Sequence, residues 1–412
     1  LDTTLQKQVF DKLQQTDIAS AMLNSAFLAG LPIAFWKLPH ASHFYIVVSY
    51  SDQLHVKDPD IANLSPGFIV APFDTSKSIS YIKADLLYSS DAVFPVEDFK
   101  AATYGSEEAQ NRKNFWEAWE KSMDAIKKKE KLFYHTKKVH AVNPSQSAYE
   151  ALVEKGIEKI HHGTYQKIVY ARNKAESKPT QFDISNTFLA LCKQYPAAFV
   201  SMISLPETGT WLGASPETLI EVKDRKFFRT VALAGTQPKE LYSKISEASW
   251  RQKEIEEQAM VSRYIINCFK KIRLREFEEI GPKTVAAGSL LHLKTDFKVN
   301  MEEVNFPQLG TVMLKLLHPT SAVCGMPQQE TMKDIIANEH YDRELYSGFL
   351  GPVNIHDNTQ IFVNLRCMQV TSNELVFYAG AGITEDSEPT KEFLETEMKM
   401  DVLRKFVSNQ YK

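Results

Sequence analysis

The run Phe377-Tyr378-Ala379-Gly380-Ala381-Gly382-Ile383, carried through Ser387 and Pro389 into Lys391-Glu392-Phe393-Leu394-Glu395-Thr396-Glu397-Met398-Lys399, constrains this chain more than any other stretch. It reads as an apolar strand, a bare turn and a charged helix. Two glycines leave alternate backbone positions without a Cβ, so a ligand or another segment can approach closely. On the helix behind, Glu392 and Glu395 are three residues apart and share a face, where both can address one cation. Clustered acids repel and glycine costs order on folding, so stability alone gives no reason for the pairing. The pattern points to an anion and a cation meeting at the end of a strand.

The charge balance says where such an anion must be handled. Forty-eight basic against 51 acidic residues leave a formal charge of −3, so no global field draws nucleic acid and a local site must bind any anionic, small-molecule partner. The lysine run Lys127-Lys128-Lys129-Glu130-Lys131 has no interleaved aromatics and reads as a wetted helix surface. Cys192, Cys268, Cys324 and Cys367 are widely spaced, which argues against a zinc site or disulfide framework and suits a reducing, cytoplasmic compartment. No apolar run is long enough to span a membrane, and the start Leu1-Asp2-Thr3-Thr4-Leu5-Gln6-Lys7 lacks the form of a signal peptide.

With 43% hydrophobic residues over 412 positions the chain can bury a sizeable core. Residues 1 to about 100 alternate strand-like runs such as Phe44–Val48 and Phe68–Val70 with Pro and Gly, and a charged helical connector follows. From Ser147 a capping box opens a helix carrying Tyr149, Leu152, Val153, Ile157 and Ile160 at helical spacing up to Gly163. Lys167–Arg172 is a strand; Phe199–Leu205, Trp211–Gly213, Leu219–Val222 and Lys226–Val231 form an antiparallel meander; Ser249–Arg273 is a long amphipathic helix. Helix and strand do not alternate as in a doubly wound sheet, so the expected class is α+β, with large, mostly antiparallel sheets packed with helices. Residues 1–140 read as a strand-rich half with its helical connector, and residues 141–412 as a second region that holds the candidate chemistry. No flexible linker separates them, so a single compact body is expected, as a monomer or weak homodimer.

Several places could carry chemistry, and each has an ordinary reading beside it. Glu254 and Glu257 repeat on one helix the spacing of Glu392 and Glu395. Either pair alone is a solvated helix face; together they suit an oxygen-ligated Mg²⁺. Gly213-Ala214-Ser215-Pro216-Glu217 is a turn that presents an acid, and a carboxyl held against apolar walls stays protonated near neutrality and can donate to a leaving oxygen. Val231-Ala232-Leu233-Ala234-Gly235-Thr236 reads as a strand end, or as backbone and hydroxyl contacts for a carboxylate. Lys167 opens a strand beside Ile168 and Val169, where an ammonium group snorkels to solvent or serves as a base. Arg366 is an interior-looking cation that pairs with an acid or grips a carboxylate with two bonds. The loop His318–Pro327 looks chosen for shape.

Taken together, these residues resemble the chorismate-utilising enzyme family, which includes isochorismate, salicylate, anthranilate and aminodeoxychorismate synthases. The likeness rests on Gly213–Glu217, Ala234-Gly235-Thr236, the Lys253–Val261 helix, His318-Pro319-Thr320, Tyr341-Asp342-Arg343 through Tyr346-Ser347-Gly348, Arg366, Gly380–Ile383, and Glu395-Thr396 with Lys399, in order across residues 145–405. It implies that Glu257 and Glu395 bind Mg²⁺, with Glu254 and Glu392 in support through water. Arg366 and Tyr346 would hold the enolpyruvyl carboxylate of chorismate, Gly380 and Gly382 would give backbone contacts, and Gly235, Thr236 and Lys399 would line the ring end. Glu217 would be the general acid and Lys167 the general base that activates water.

Two positions choose among members by this resemblance. Ala234 stands where one large group of aminodeoxychorismate synthases has a nucleophilic lysine, and Lys167 stands where anthranilate synthases typically have glutamine. The expectation is an isochorismate synthase, an isomerase of menaquinone or siderophore type whose product can feed menaquinone, siderophore or salicylate pathways, with menaquinone supply the first expectation. Salicylate synthase is the main alternative and anthranilate synthase component I a further one. Gln258, where many members have histidine, and Cys324, where glycine is frequent, depart from the pattern.

Overall fold

In the computed structural model, which describes residues 13–91, 96–98, 105–127, 132–135, 142–287 and 290–411, neighbouring side chains of one strand enter different cores. Within Gly209–Ser215, Trp211 joins one apolar cluster and Leu212 another, and within Glu374–Ile383 Tyr378 and Phe377 part in the same way. This period of two, with both faces apolar, requires a sheet covered on both sides.

In chain order the N-terminal part contributes α1 (Gln15–Leu28), β1 (Ile33–Lys37), β2 (Tyr45–Val48), β3 (Leu54–Val56), β4 (Gly67–Ala71), β5 (Ile79–Lys83), β6 (Leu86–Ser89), β7 (Val96–Asp98) and α2 (Ser106–Lys127). There follow α3 (Gln146–His161), β8 (Lys167–Ser177), α4 (Ile184–Gln194), β9 (Phe199–Leu205), β10 (Gly209–Ser215), β11 (Thr218–Lys223) and β12 (Phe227–Pro238). Next come α5 (Gln252–Lys271), β13 (Glu278–Ala287), β14 (Leu290–Asn300), α6 (Leu309–Leu317), β15 (Gly325–Met326) and α7 (Gln328–Asn338). The chain closes with β16 (Phe349–Val353), β17 (Thr359–Val363), β18 (Cys367–Val370), β19 (Glu374–Ile383) and α8 (Pro389–Gln410).

The strands build one ten-stranded sheet, β15-β8-β19-β18-β10-β9-β1-β2-β6-β7, and one nine-stranded sheet, β13-β14-β12-β11-β17-β16-β4-β5-β3, with antiparallel pairing. A core containing Trp36, Phe68, Phe199, Trp211, Phe362 and Tyr378 takes side chains from both sheets. Helices α1, α2, α4 and α8 bury apolar residues with the outer face of the first sheet, and α5 and α6 with that of the second. The α+β expectation therefore holds, and the two ends of the chain are not separable bodies: β1 pairs with β9, and β4 with β16.

Three local expectations need correction. Helix α1 was not legible in a stretch read as strand-forming, because nine consecutive residues from Ile18 to Ala26 are buried around its whole circumference and leave no one-sided periodicity. The cap of α3 is Ser145, whose hydroxyl accepts from the Ala148 amide, and not Ser147; Glu150 takes bonds from Gln146 and Thr390 instead. Gly380-Ala381-Gly382 is not a turn. It lies within β19, paired through Gly380 with Ala171 and Gly382 with Val169, and the chain turns only after Ile383. Of the lysine run, Lys128–Lys131 lies outside the described residues, as does the N-terminal segment 1–12.

Candidate active site

Because β19 remains a strand, its glycines serve space and not backbone conformation. A Cβ on Gly380 would stand 3.2 Å from the Tyr346 hydroxyl, and one on Gly382 would stand 2.8 Å from Cε and 3.3 Å from Nζ of Lys167. Strand β8 delivers Lys167 at its first residue, one step beyond the pairing of Ile168 with Ile383. Two alternating positions of one strand thus bring a tyrosine hydroxyl and an ammonium group against bare backbone.

From α8, Lys399 donates to the Gly380 carbonyl at 2.7 Å and pairs with Glu395 at 2.6 Å. The helix is set against the strands by Arg172 of β8, which donates to the Thr396 hydroxyl at 2.7 Å, pairs with Glu397 and lies over the Phe393 ring. Arg366 occupies the sharp turn between β17 and β18 with φ of +47°, and its carbonyl accepts from the Ala214 amide at 3.0 Å. Gly213 allows that approach, since a Cβ there would meet Cys367 at 2.9 Å. Burial lowers the Arg366 pKa, while Tyr346, Glu395 and Glu217 act to keep the cation.

Glu217 is a strongly perturbed acid. It follows the end of β10, accepts from the Thr320 hydroxyl at 3.4 Å, and borders a small cavity of about 20 Å³ walled by Leu219, Val231, Leu233, Val261 and Leu317. Removal from water pushes its carboxyl up to about 7, although Thr320, Arg366, Lys167 and Lys399 all favour the charged form. Those three cations reach the same carboxyl, so Lys167, Glu217, Arg366 and Lys399 form one electrostatic unit. The His318–Pro327 loop is accordingly more than a shape: Thr320 touches the acid, and His318, lowered to about 4 by burial, bonds the Pro72 carbonyl at 3.2 Å.

Gly235 sits at a bulge inside β12, not at a strand end, because the pairing with β14 shifts between Ala234 and Thr236 and the glycine takes φ of +68°. Its missing Cβ admits Glu254, whose own Cβ would be 3.2 Å away. The Thr236 side chain lies outside the described residues. Opposite it, His292 was missed by sequence reasoning, since one histidine in an apolar strand carries no spacing signal. Its Nδ1 donates to the Gly235 carbonyl at 3.0 Å, and burial lowers its pKa, with Arg366 and Lys399 pushing the same way. A neutral imidazole therefore faces the cations.

The four metal candidates split into two settings. Glu254 is buried and accepts from the Arg251 amide at 2.9 Å and its guanidinium at 3.0 Å; Glu392 is buried too. Glu257 and Glu395 are half-buried, with Glu395 held by Lys399. Among the described residues no group of three or more His, Cys, Asp or Glu is gathered tightly enough to cage an ion. The donors are carboxylates only, and Gly235 lets the start of α5 press against the strand bearing the site. Carboxylate oxygens are the donor chemistry of Mg²⁺, which needs only one or two of them and keeps its waters, and do not suit a thiophilic metal.

A family model described as chorismate binding enzyme matches residues 99–408. The chain belongs to that family. Among relatives of chorismate-binding type, the isochorismate synthase EntC of Escherichia coli K12 is 28% identical over 267 residues, 63% of this chain and 67% of that protein. A crystal structure described as a putative 2,3-dihydroxybenzoate-specific isochorismate synthase, DhbC from Bacillus anthracis, superposes with a TM-score of 0.69 at 21% identity, covering 95% of this chain and 99% of that one. MenF from Escherichia coli, described as a menaquinone-specific isochorismate synthase, gives the same TM-score at 20% identity, covering 93% and 91%. The structural likenesses show that the fold is the family's across both sheets, the N-terminal strands included.

Proposed function

We propose that this chain is an isochorismate synthase, converting chorismate reversibly to isochorismate by attack of water at C2 and departure of the C4 hydroxyl. The observation that carries the reading is the electrostatic coupling of Lys167 and Glu217. A lysine pressed against Gly382 and a carboxyl pushed up to about 7 belong to one electrostatic unit, as a base and an acid of one reaction must.

In this reading Lys167 takes a proton from water as its oxygen bonds to C2, the ring double bonds shift, and Glu217 protonates the C4 hydroxyl as it leaves as water. Arg366 and Tyr346 hold the enolpyruvyl carboxylate, and the backbone of Gly380 and Gly382 lies along the substrate. Gly235, Thr236 and Lys399 line the ring end. Mg²⁺, when bound, would neutralise and orient the ring carboxylate, held by Glu257 and Glu395 with Glu254 and Glu392 in support. Ala234, without a nucleophilic atom, supports water and not a covalent lysine adduct as the route. The proposed destination of the product is menaquinone synthesis, with a siderophore route the alternative, since the chain is equally like a menaquinone-specific and a 2,3-dihydroxybenzoate-specific isochorismate synthase.

Purified protein incubated with chorismate and Mg²⁺, with products resolved by chromatography, tests the reading. Isochorismate alone supports it. Salicylate with pyruvate would make the chain a salicylate synthase, anthranilate formed with ammonia would make it an anthranilate synthase component I, and tight binding without product would make it a binding protein.

A further inference from the structure

Behind the site runs a polar chain whose hydrogen bonds reach none of the proposed substrate contacts but whose members lie next to three of them in sequence. The Tyr378 hydroxyl donates to Gln369 Oε1 at 3.3 Å, and Gln369 Nε2 donates to Glu344 Oε2 at 3.0 Å. Glu344 lies two residues before Tyr346, Gln369 three after Arg366, and Tyr378 two before Gly380. One hydrogen-bonded chain therefore joins the turn of Tyr346, strand β18 and the middle of β19. The first two of these segments would hold the enolpyruvyl carboxylate, and the third would lie along the substrate.

The rings extend the connection. Tyr378 stacks between Trp211 and Tyr346, with centroids 5.1 and 5.5 Å away and planes 26° and 17° apart, so the far face of Tyr346 is fixed by the ring whose hydroxyl enters the chain. Gln369 is almost fully buried, and each of its two amide atoms has one partner in the chain. Removing either partner leaves a buried polar atom unpaired, so the arrangement is held as a unit.

We propose that Glu344, Gln369 and Tyr378 form a positioning clamp that sets Tyr346 and Arg366 for the substrate's side-arm carboxylate. The inference rests on the proposed chorismate reaction. The clamp also has a protonation state. Burial first, and Asp342 second, push the Glu344 carboxyl up to about 7, opposed by Lys77, itself paired with Asp342, and by the bond from Gln369. From the strands the groups facing it are Gln369 and the neutral Tyr378 phenol. Ionisation strengthens the acceptor for Gln369, so arm binding tightens as pH rises through about 7.

The test compares Gln369→Leu, Tyr378→Phe and Glu344→Gln with the natural chain in steady-state chorismate kinetics from pH 6 to 8. The arm carboxylate is bound alike in ground and transition states, so loss of one clamp bond should raise KM about five- to tenfold in Gln369→Leu and Tyr378→Phe and change kcat less than twofold. Glu344→Gln, which keeps the shape, should flatten the pH dependence of KM. Tyr378→Phe keeps the ring stack, so a changed KM at unchanged melting temperature separates positioning from folding. Unchanged KM in both Gln369→Leu and Tyr378→Phe, or a fall in kcat alone, overturns the clamp while the natural chain still converts chorismate. Failure of the natural chain itself to bind or convert chorismate refutes instead the reading on which the clamp rests.

Discussion

Gly382 and Lys167 occupy one volume: a Cβ on the glycine would lie 2.8 Å from the lysine Cε and 3.3 Å from its Nζ. The atoms in the way belong to the far end of a flexible side chain, so an alanine can be accommodated by moving the ammonium group and not the sheet. Gly382→Ala is therefore expected to fold with a melting temperature within a few degrees of the natural chain, yet to lose about a hundredfold in kcat, the order of cost of misplacing a reacting group by an ångström. Thermal unfolding and turnover measured on the same preparation check both halves. Full activity would place the base elsewhere.

Glu217 gives a pH dependence whose sign can be worked out. As the acid it must begin protonated, and its carboxyl is pushed up to about 7, so kcat/KM should fall about tenfold per unit above that value. Glu217→Gln should abolish conversion and retain chorismate binding, because the arginine and metal contacts remain. Stability should run the other way from that of a salt-bridged acid. Below about 4.5, the ordinary value, both folded and unfolded chains are protonated; between there and about 7 only the unfolded chain ionises, so stability falls as pH rises across this window. Urea unfolding at several pH values should show that fall reduced in Glu217→Gln.

Metal and substrate should be lost together. Glu395 is held by Lys399, which in turn holds the Gly380 carbonyl, so Glu395→Ala removes a proposed metal ligand and frees a cation beside the substrate backbone contacts. Calorimetric titration with Mg²⁺ in the presence of chorismate should show both affinities reduced by at least tenfold, since each ligand supplies part of the other's site. An unaltered Mg²⁺ affinity would remove Glu395 from the metal site.

The residues legible in sequence were those whose type is odd for its place. Two glycines in an apolar strand, a lysine at a strand start and an arginine among Leu365 and Cys367 each conflict with local propensity, and such conflicts collect where a site is built. Gly235 was legible as a special position but not as a bulge, because only the partner strand β14 shows the slipped register. Helix α1 gave no pattern because it is buried all round. His292, Thr320, Glu344 and Gln369 are ordinary residues in ordinary local sequence, and their roles come from strands and loops far away in the chain. The placement of Glu254 and Glu257 relative to Glu392 and Glu395 is likewise a matter of how α5 and α8 are docked, which helical spacing within either one does not specify.

Arg343 lets the link between stability and the site be tested from outside the chemistry. With Glu339 it forms a fully buried pair: Nε meets Glu339 Oε2 at 2.8 Å, Nη1 meets the Val323 carbonyl at 2.8 Å, and Nη2 meets the Val169 carbonyl at 2.7 Å. Glu339 in turn accepts from the Ala171 amide at 2.7 Å. The pair therefore fastens β8, the strand that begins at Lys167, to the loop that carries Thr320. Burial pushes the Glu339 pKa up and Arg343 opposes it, so removing the arginine leaves a carboxyl with no compensating charge in the interior. Arg343→Met should cost about 3–5 kcal/mol in urea unfolding, the range for a broken buried pair. Pairing it with Glu339→Met should recover part of that loss, since two apolar side chains need no partner. Turnover need not recover with stability, because the double variant still lacks the bonds to the Val323 and Val169 carbonyls that hold Lys167 and Thr320 in relation to each other. A double variant that regains both stability and full turnover would show that this fastening plays no part in catalysis.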